Sequence, residues 1–278
     1  MEIIQSIILG IVQGLTEFIP VSSSAHLLLL QKLFGWDTSS VTFDVALHMG
    51  TLVALIGFFW KDWMSIFASF YRRLLSRAPY PADDEAKSSG KLLIPIVIAT
   101  IPAAIVGVLF DSQIEGMRDR VWMVPAIAAA LAVVAIIMVI AEKISSQKRG
   151  VGQMNYVDYI VIGLAQALAL FPGVSRSGIT IIAGLGRGLK RESAARFSFL
   201  LSTPVIFGAG VKQALDVLKT GLAPNQGLVL LVGFLAATIS GYLAIRFLMN
   251  YLQRRSLNAF AIYRVALGLG ILSTLLIR

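Results

Sequence analysis

The sequence predicts an all-α polytopic membrane protein: an inverted-topology repeat, each half a re-entrant helical hairpin plus three transmembrane helices. Three observations predict it. The 278 residues are 57% hydrophobic and 14% charged, with a mean hydropathy of +0.80, whereas a soluble domain carries roughly 25% charged residues. Apolar runs at 43–60, 92–110, 121–141, 194–215, 227–248 and 259–277 approach the ~20 residues needed to cross a bilayer. Finally, one phrase occurs twice. Gln13-Gly-Leu-Thr-Glu17-Phe-Ile-Pro20-Val-Ser22-Ser23-Ser24 is answered by Gln166-Ala-Leu-Ala-Leu170-Phe-Pro172-Gly-Val-Ser175-Arg176-Ser177.

Residues 2–19 are apolar but carry Gln13 and Glu17, and Pro20 breaks them. The continuation, 22–34, is too short to span, so the pair reads as a hairpin that enters and leaves by one face. Residues 156–171 and 175–187 repeat the plan, with Pro172-Gly173 as the elbow. Three spans follow each hairpin. Because three is odd, the second unit enters from the opposite side. The whole chain, 1–278, is then one integral membrane domain, with repeat one at 1–142 and repeat two at 156–278. Residues 143–155 link the halves, and the polar stretch Ala78–Gly90 is a solvated connector.

Lysine and arginine set the orientation. With the 61–91 loop in the cytoplasm, the cytoplasmic pieces 61–91, 143–150, 187–196 and 246–255 hold sixteen of the 24 basic residues and the outer pieces six. That asymmetry puts both termini outside. The net charge of +9 sits in short juxtamembrane segments, so it reads as a topology signal and as contacts to membrane lipids, with no nucleic-acid partner. There is no cysteine, which excludes a thiolate nucleophile and Cys-based metal sites. No basic segment opens the chain, so a cleaved signal peptide is not expected.

The elbows collect the chemistry. Gln13 and Glu17, four apart, share a helix face. An acidic residue at the bilayer centre costs about 2.5–3.5 kcal/mol on insertion scales, so Glu17 requires a partner. Its functional reading is a general base or a metal ligand. Ser22, Ser23 and Ser24 open the next half-helix, where exposed amides and the positive dipole end favour an anion. His26 lies three residues beyond Ser23 on the same face, close enough to serve a hydroxyl. Arg176 takes Ser23's place in the second phrase, between Ser175 and Ser177. Its guanidinium fork matches a phosphate or carboxylate. Thr180, one turn on, adds a hydroxyl. His48 reads as a packed polar residue of the first full span, and Gly184-Leu-Gly-Arg-Gly188 as a close-packed helix end.

With these residues in view, Leu15-Thr-Glu17-Phe-Ile-Pro-Val-Ser-Ser-Ser-Ala-His26 and Pro172-Gly-Val-Ser-Arg-Ser-Gly-Ile-Thr180 resemble the two signature motifs of the undecaprenyl-diphosphate phosphatase family, also called bacitracin-resistance proteins. The resemblance extends over nearly the whole chain, including Phe43-Asp-Val-Ala-Leu-His48 and Phe197-Ser-Phe-Leu-Leu. The second motif, PGxSRSxxT, is complete. The first, (E/Q)xxxE, takes its glutamine form at Gln13, which leaves Glu17 as its one carboxylate. The resemblance implies hydrolysis of undecaprenyl diphosphate to undecaprenyl phosphate and inorganic phosphate, recycling the lipid carrier of cell-wall synthesis. It also implies a divalent cation, Mg2+ or Ca2+, with Glu17 as its ligand. A polyprenyl diphosphate lipid is the expected partner, and a homodimer is carried as a candidate assembly.

On this reading Glu17, Ser23, His26 and Arg176 are catalytic, and Gln13, Ser22, Ser24, Ser175, Ser177 and Thr180 bind the diphosphate. Ser23 attacking, with His26 and Glu17 as base and orienter, is favoured over attack by His26 or by water. A different class uses the same parts: broken helices that meet at midplane also build transporters, so a lipid-phosphate or phosphate translocator is the alternative.

Overall fold

A computed structural model describes residues 3–36, 41–76, 91–117, 122–220 and 226–275, and they are almost entirely helical. The connector Ala78–Gly90 lies outside them, as do Arg118, Arg120 and Arg278 of the outer charge count. The first hairpin is α1 (Ile3–Phe18) and α2 (Ser23–Phe34). Then come α3 (Val41–Phe58), α4 (Trp60–Ser76), α5 (Leu93–Leu109), the short α6 (Asp111–Met117) and α7 (Met123–Ile144). A 3-10 turn at Val151–Gln153 leads to the second hairpin, α8 (Tyr156–Leu168) and α9 (Arg176–Gly186). The last three helices are α10 (Arg191–Thr220), α11 (Gln226–Leu252) and α12 (Asn258–Ser273).

Residue type explains the boundaries. Pro20 and Pro172, whose ring and missing N–H disfavour a helix interior, follow the ends of α1 and α8. Gly35, at φ 63°, closes α2 in the left-handed conformation that glycine adopts without strain. Asn155 starts α8 with a reciprocal cap. Its side chain accepts the Asp158 amide at 3.2 Å, and Asp158 accepts the Asn155 amide at 2.8 Å. By length and composition α3, α7, α10 and α11 can cross a membrane; α5 and α12 are apolar but shorter. The protein is multi-pass.

The 61–91 segment is not a loop throughout, because α4 runs to Ser76. Its Lys61, Asp62 and Arg72 conceal an amphipathic helix that buries Trp63 and Ile66 and pairs Asp62 with Arg196 of α10.

The hairpins are exchanged between the halves. The first helix of each packs on the middle span of the other half, α1 along α11 and α8 along α5. Both contacts use a glycine aligned by the repeat. A Cβ on Gly10 would lie 2.5 Å from Gly233 O, and one on Gly163 would lie 2.6 Å from Ala99 O. Small residues allow such backbone approach, which is how helices associate where no water drives them together.

The linker is fastened to the head of the second hairpin. Buried Asp158 receives Arg149 Nη2 and Arg187 Nε, each at 2.6 Å. The Lys148 and Arg149 amides donate to Gly188 O at 3.1 and 3.0 Å. Asp158 lies at the head of α8, outside the spanning segments. Burial alone would raise its carboxyl pKa, but Arg149, the Asn155 amide and Arg187 outweigh burial and hold it below the ordinary 3.8.

Candidate active site

The two elbows share one backbone conformation. Ser22 stands at φ 75°, ψ 100°, and Ser175 at φ 71°, ψ 112°. These are the serines aligned by the repeated phrase, and each immediately precedes the half-helix that follows. A non-glycine residue held in a sparsely populated region costs on the order of 1–3 kcal/mol, so the surroundings must hold both. His26 Nδ1 lies 2.7 Å from Ser22 O, and since a carbonyl only accepts, the ring donates there. Ser175 Oγ accepts the Gly178 amide at 3.2 Å and caps α9.

Three contacts join the elbows. Arg176 Nη2 meets Glu17 Oε1 at 2.6 Å. The Gly173 amide donates to Ser24 Oγ at 3.2 Å, and Ser177 Oγ donates to Ile19 O at 3.5 Å. Residues 159 positions apart in sequence are thereby brought together as one cluster.

Glu17 is the hub. Its Oε2 accepts Ser23 Oγ–H at 2.8 Å and Gln13 Nε2–H at 3.0 Å. His48 Nε2 stands 3.5 Å from the same oxygen, with its Nδ1–H donated to Asp44 O at 2.7 Å. The carboxylate is buried, so its charge is strongly felt by all four neighbours. Two buried polar atoms of the cluster have no hydrogen-bond partner among the described residues: Arg176 Nη1, a donor, and Gln13 Oε1, an acceptor. Buried polar groups are rarely left so, and a ligand is one explanation.

The remaining expected residues are placed as follows. Ser22 Oγ and Ser24 Oγ lie 3.1 Å apart, and Ser175 Oγ and Ser177 Oγ 3.3 Å apart, flanking the elbow junction. Thr180 is a buried residue of α9 itself, its hydroxyl donating to Arg176 O at 2.7 Å and pairing with Ser198 Oγ of α10 at 2.6 Å. It braces the helix that carries Arg176. His26 bonds neither Ser23 nor Glu17. Its Nε2 is 2.8 Å from Tyr263 Oη, and the two rings stack with centroids 5.6 Å apart.

Three residues at the cluster were not marked by the sequence: His48 on α3, and Tyr263 and Arg264 on α12. Only the Asp44–His48 spacing inside a stretch that resembles the family gave a signal. The α12 residues reach the elbows from 90 or more positions away, which no local pattern records.

No group of three or more His, Cys, Asp or Glu side chains converges as a metal cage among the described residues. A Mg2+ ion at a phosphate site needs few protein ligands, taking the rest from phosphate oxygens and water. One carboxylate, Glu17, beside an unpartnered carbonyl oxygen, Gln13 Oε1, fits that small share.

Comparison with known proteins bears out the family resemblance. Residues 6–270 match the family described as bacitracin resistance protein BacA. The undecaprenyl-diphosphatase of Rubrobacter xylanophilus is 44% identical over 279 residues, covering 100% of both chains. That of Geotalea daltonii is 44% identical over 268 residues, 96% of each chain, and that of Thermomicrobium roseum 41% identical over 278 residues, 98% of each. With the family match spanning nearly the entire sequence and the relatives aligned end to end, the chain belongs to the bacitracin resistance protein BacA family.

Proposed function

We propose that this protein hydrolyses undecaprenyl diphosphate to undecaprenyl phosphate and inorganic phosphate, recycling the lipid carrier of cell-wall synthesis and so conferring bacitracin resistance. Family membership supports the activity, and one observation carries the site. A half-buried arginine with a buried, unpartnered Nη1 lies against a serine–carboxylate pair at the junction of two half-helix starts. Donors surround that junction, and the helix N-termini add positive potential. A diphosphate supplies the acceptors that such a site lacks.

In this mechanism the prenyl tail lies among the apolar spans. Arg176 and the hydroxyls of Ser22, Ser24, Ser175 and Ser177 hold phosphoryl oxygens and offset charge as it develops. Ser23 Oγ attacks the terminal phosphorus in line, and its proton passes to Glu17 Oε2. The bond from phosphorus to the bridging oxygen breaks, and undecaprenyl phosphate leaves with that electron pair. The departing phosphate takes the proton from Glu17. Water then gives a proton to the freed carboxylate and attacks the phosphoserine. As the Oγ–P bond breaks, Ser23 Oγ regains that proton from Glu17 and phosphate is released. His26 orients the elbow through Ser22 rather than acting as the base for Ser23. A divalent cation held by Glu17 and Gln13 Oε1, with the substrate's own oxygens, would add Lewis-acid neutralisation of the diphosphate.

We place both termini on the outer side of a bacterial plasma membrane, with the second hairpin entering from the cytoplasm. The excess of basic residues in the opposite segments supports this. Cysteines introduced singly into the termini and the linker, probed with an impermeant thiol reagent, test it. Phosphate release by purified protein from a polyprenyl diphosphate, with Mg2+ or Ca2+ present, tests the activity. Release at wild-type rates that disappears in Glu17→Gln supports hydrolysis; no release by the wild type sinks it in favour of translocation. A homodimer is tested by cross-linking in the membrane.

A further inference from the structure

Arg264 on α12 is wholly buried, and all four of its hydrogen bonds end on backbone carbonyls. Nε donates to Leu131 O at 3.3 Å, Nη1 to Pro20 O at 3.2 Å, and Nη2 to Gly173 O and Val174 O at 3.0 and 3.1 Å. No carboxylate pairs with it among the described residues. Burying an unpaired cation is expensive, and a hydrophobic residue would fill a bundle core at less cost. A structural need alone therefore gives a poor account of it.

The choice of carbonyls is informative. Pro20 belongs to the first elbow, and Gly173 and Val174 to the second. A Cβ on Gly178 would lie 3.5 Å from Arg264 Nη1, so the guanidinium sits directly against the first turn of α9, the turn that Arg176 opens. Carbonyl oxygens facing a diphosphate would repel it. Arg264 draws three elbow carbonyls to one point. In a trans peptide the N–H is opposed to the C=O, so the following amides are turned the other way: Val21 donates to Ile19 O and Val174 to Phe171 O, and the Ser175 amide faces away from Arg264. The same grip fixes the chain immediately before Ser22 and Ser175, the two serines at positive φ.

We infer that Arg264 is a positioning residue of the diphosphate site: it withdraws carbonyl oxygens of both elbows from the anion and sets the spacing between Ser23 and Arg176. This rests on the proposed function and deepens it. Lysine keeps the charge but cannot reach carbonyls in both elbows at once.

The test compares wild type, Arg264→Lys and Arg264→Met after purification in detergent. The folded fraction is measured by size exclusion and thermal unfolding. kcat and KM are measured for phosphate release from a polyprenyl diphosphate, and inorganic pyrophosphate serves as a soluble probe of the anion site. The expected result is a folded Arg264→Lys protein with kcat/KM down about 100-fold per folded molecule, the scale of a displaced reacting group. Pyrophosphate binding should weaken in step, and Arg264→Met should be worse in both. Wild-type kcat/KM and pyrophosphate affinity per folded molecule would overturn the assignment. So would failure of both variants to fold, which makes Arg264 a determinant of the fold instead. If the wild type releases no phosphate, the functional reading fails, and the pyrophosphate measurement alone still decides whether Arg264 shapes an anion site.

Discussion

Arg176 Nη2 and Glu17 Oε1 lie 2.6 Å apart, and this pair ties the start of one half-helix to the end of another from the opposite half of the chain. Glu17 is buried and Arg176 only partly exposed, so removing either partner leaves a poorly solvated charge. Arg176→Lys retains the charge and loses the fork. We expect at least about a 100-fold fall in kcat/KM with the fold retained, measured by phosphate release and thermal unfolding.

Ser23 donates to Glu17 Oε2 at 2.8 Å. Ser23→Ala is expected to abolish turnover while lipid diphosphate still binds. Rapid quenching of the wild type with labelled substrate should trap phosphoserine at position 23. Near-normal turnover by the variant ends the serine route and leaves activated water.

His48 stands 3.5 Å from the same oxygen without touching Ser23 in this state. We expect His48→Gln to reduce kcat about tenfold with KM little changed. That is less than the ~10²–10⁴ of a group that moves the proton itself. A loss as large as that of Glu17→Gln would move His48 into the proton-transfer role.

The aligned glycines make a packing prediction. Gly10→Ala and Gly163→Ala place a Cβ about 2.5–2.6 Å from a backbone oxygen that has little room to retreat, and each should cost about 1–3 kcal/mol. Gly57→Ala meets nothing within 4 Å and serves as the control. Equal melting temperatures for all three variants would contradict the close approach of α1 to α11 and of α8 to α5.

Asp158 makes a pH prediction. Its folded pKa is depressed, so its contribution to stability is complete above the unfolded value and is lost as pH falls through the lower folded value, below 3.8. Asp158→Asn should cost about 1–3 kcal/mol at neutral pH and flatten the acid limb of the unfolding profile. An unchanged acid limb would mean that the Arg149–Asp158–Arg187 cluster does not fasten the linker.

Much of this architecture could be read before any coordinates, because proline, glycine and serine mark backbone events locally. The elbow at Pro20 fell between the helices expected at 2–19 and 22–34, which form at Ile3–Phe18 and Ser23–Phe34. That Glu17 needs a partner was legible, because a charge at membrane depth requires one; that Arg176, assigned to the diphosphate, also meets it is a tertiary contact. Other features left no local mark. Helix α4 was hidden by its charged residues, which resemble a loop until Trp63 and Ile66 are seen to be buried. His26 was expected beside Ser23, yet helical spacing fixes only a face; the ring's actual partners, Ser22 O and Tyr263, depend on where α12 lies. His48 and Arg264 reach the cluster through tertiary packing alone.

The grip of Arg264 on both elbows has a consequence for biosynthesis. Until α12 enters the membrane, neither Pro20 nor Gly173 has its guanidinium partner and His26 lacks Tyr263, although Glu17 and Arg176 are already in place. Glu17, Ser23 and Arg176 are therefore all synthesised before Arg264 is there to hold the elbows. On the inference for Arg264, competence waits for the last described helix.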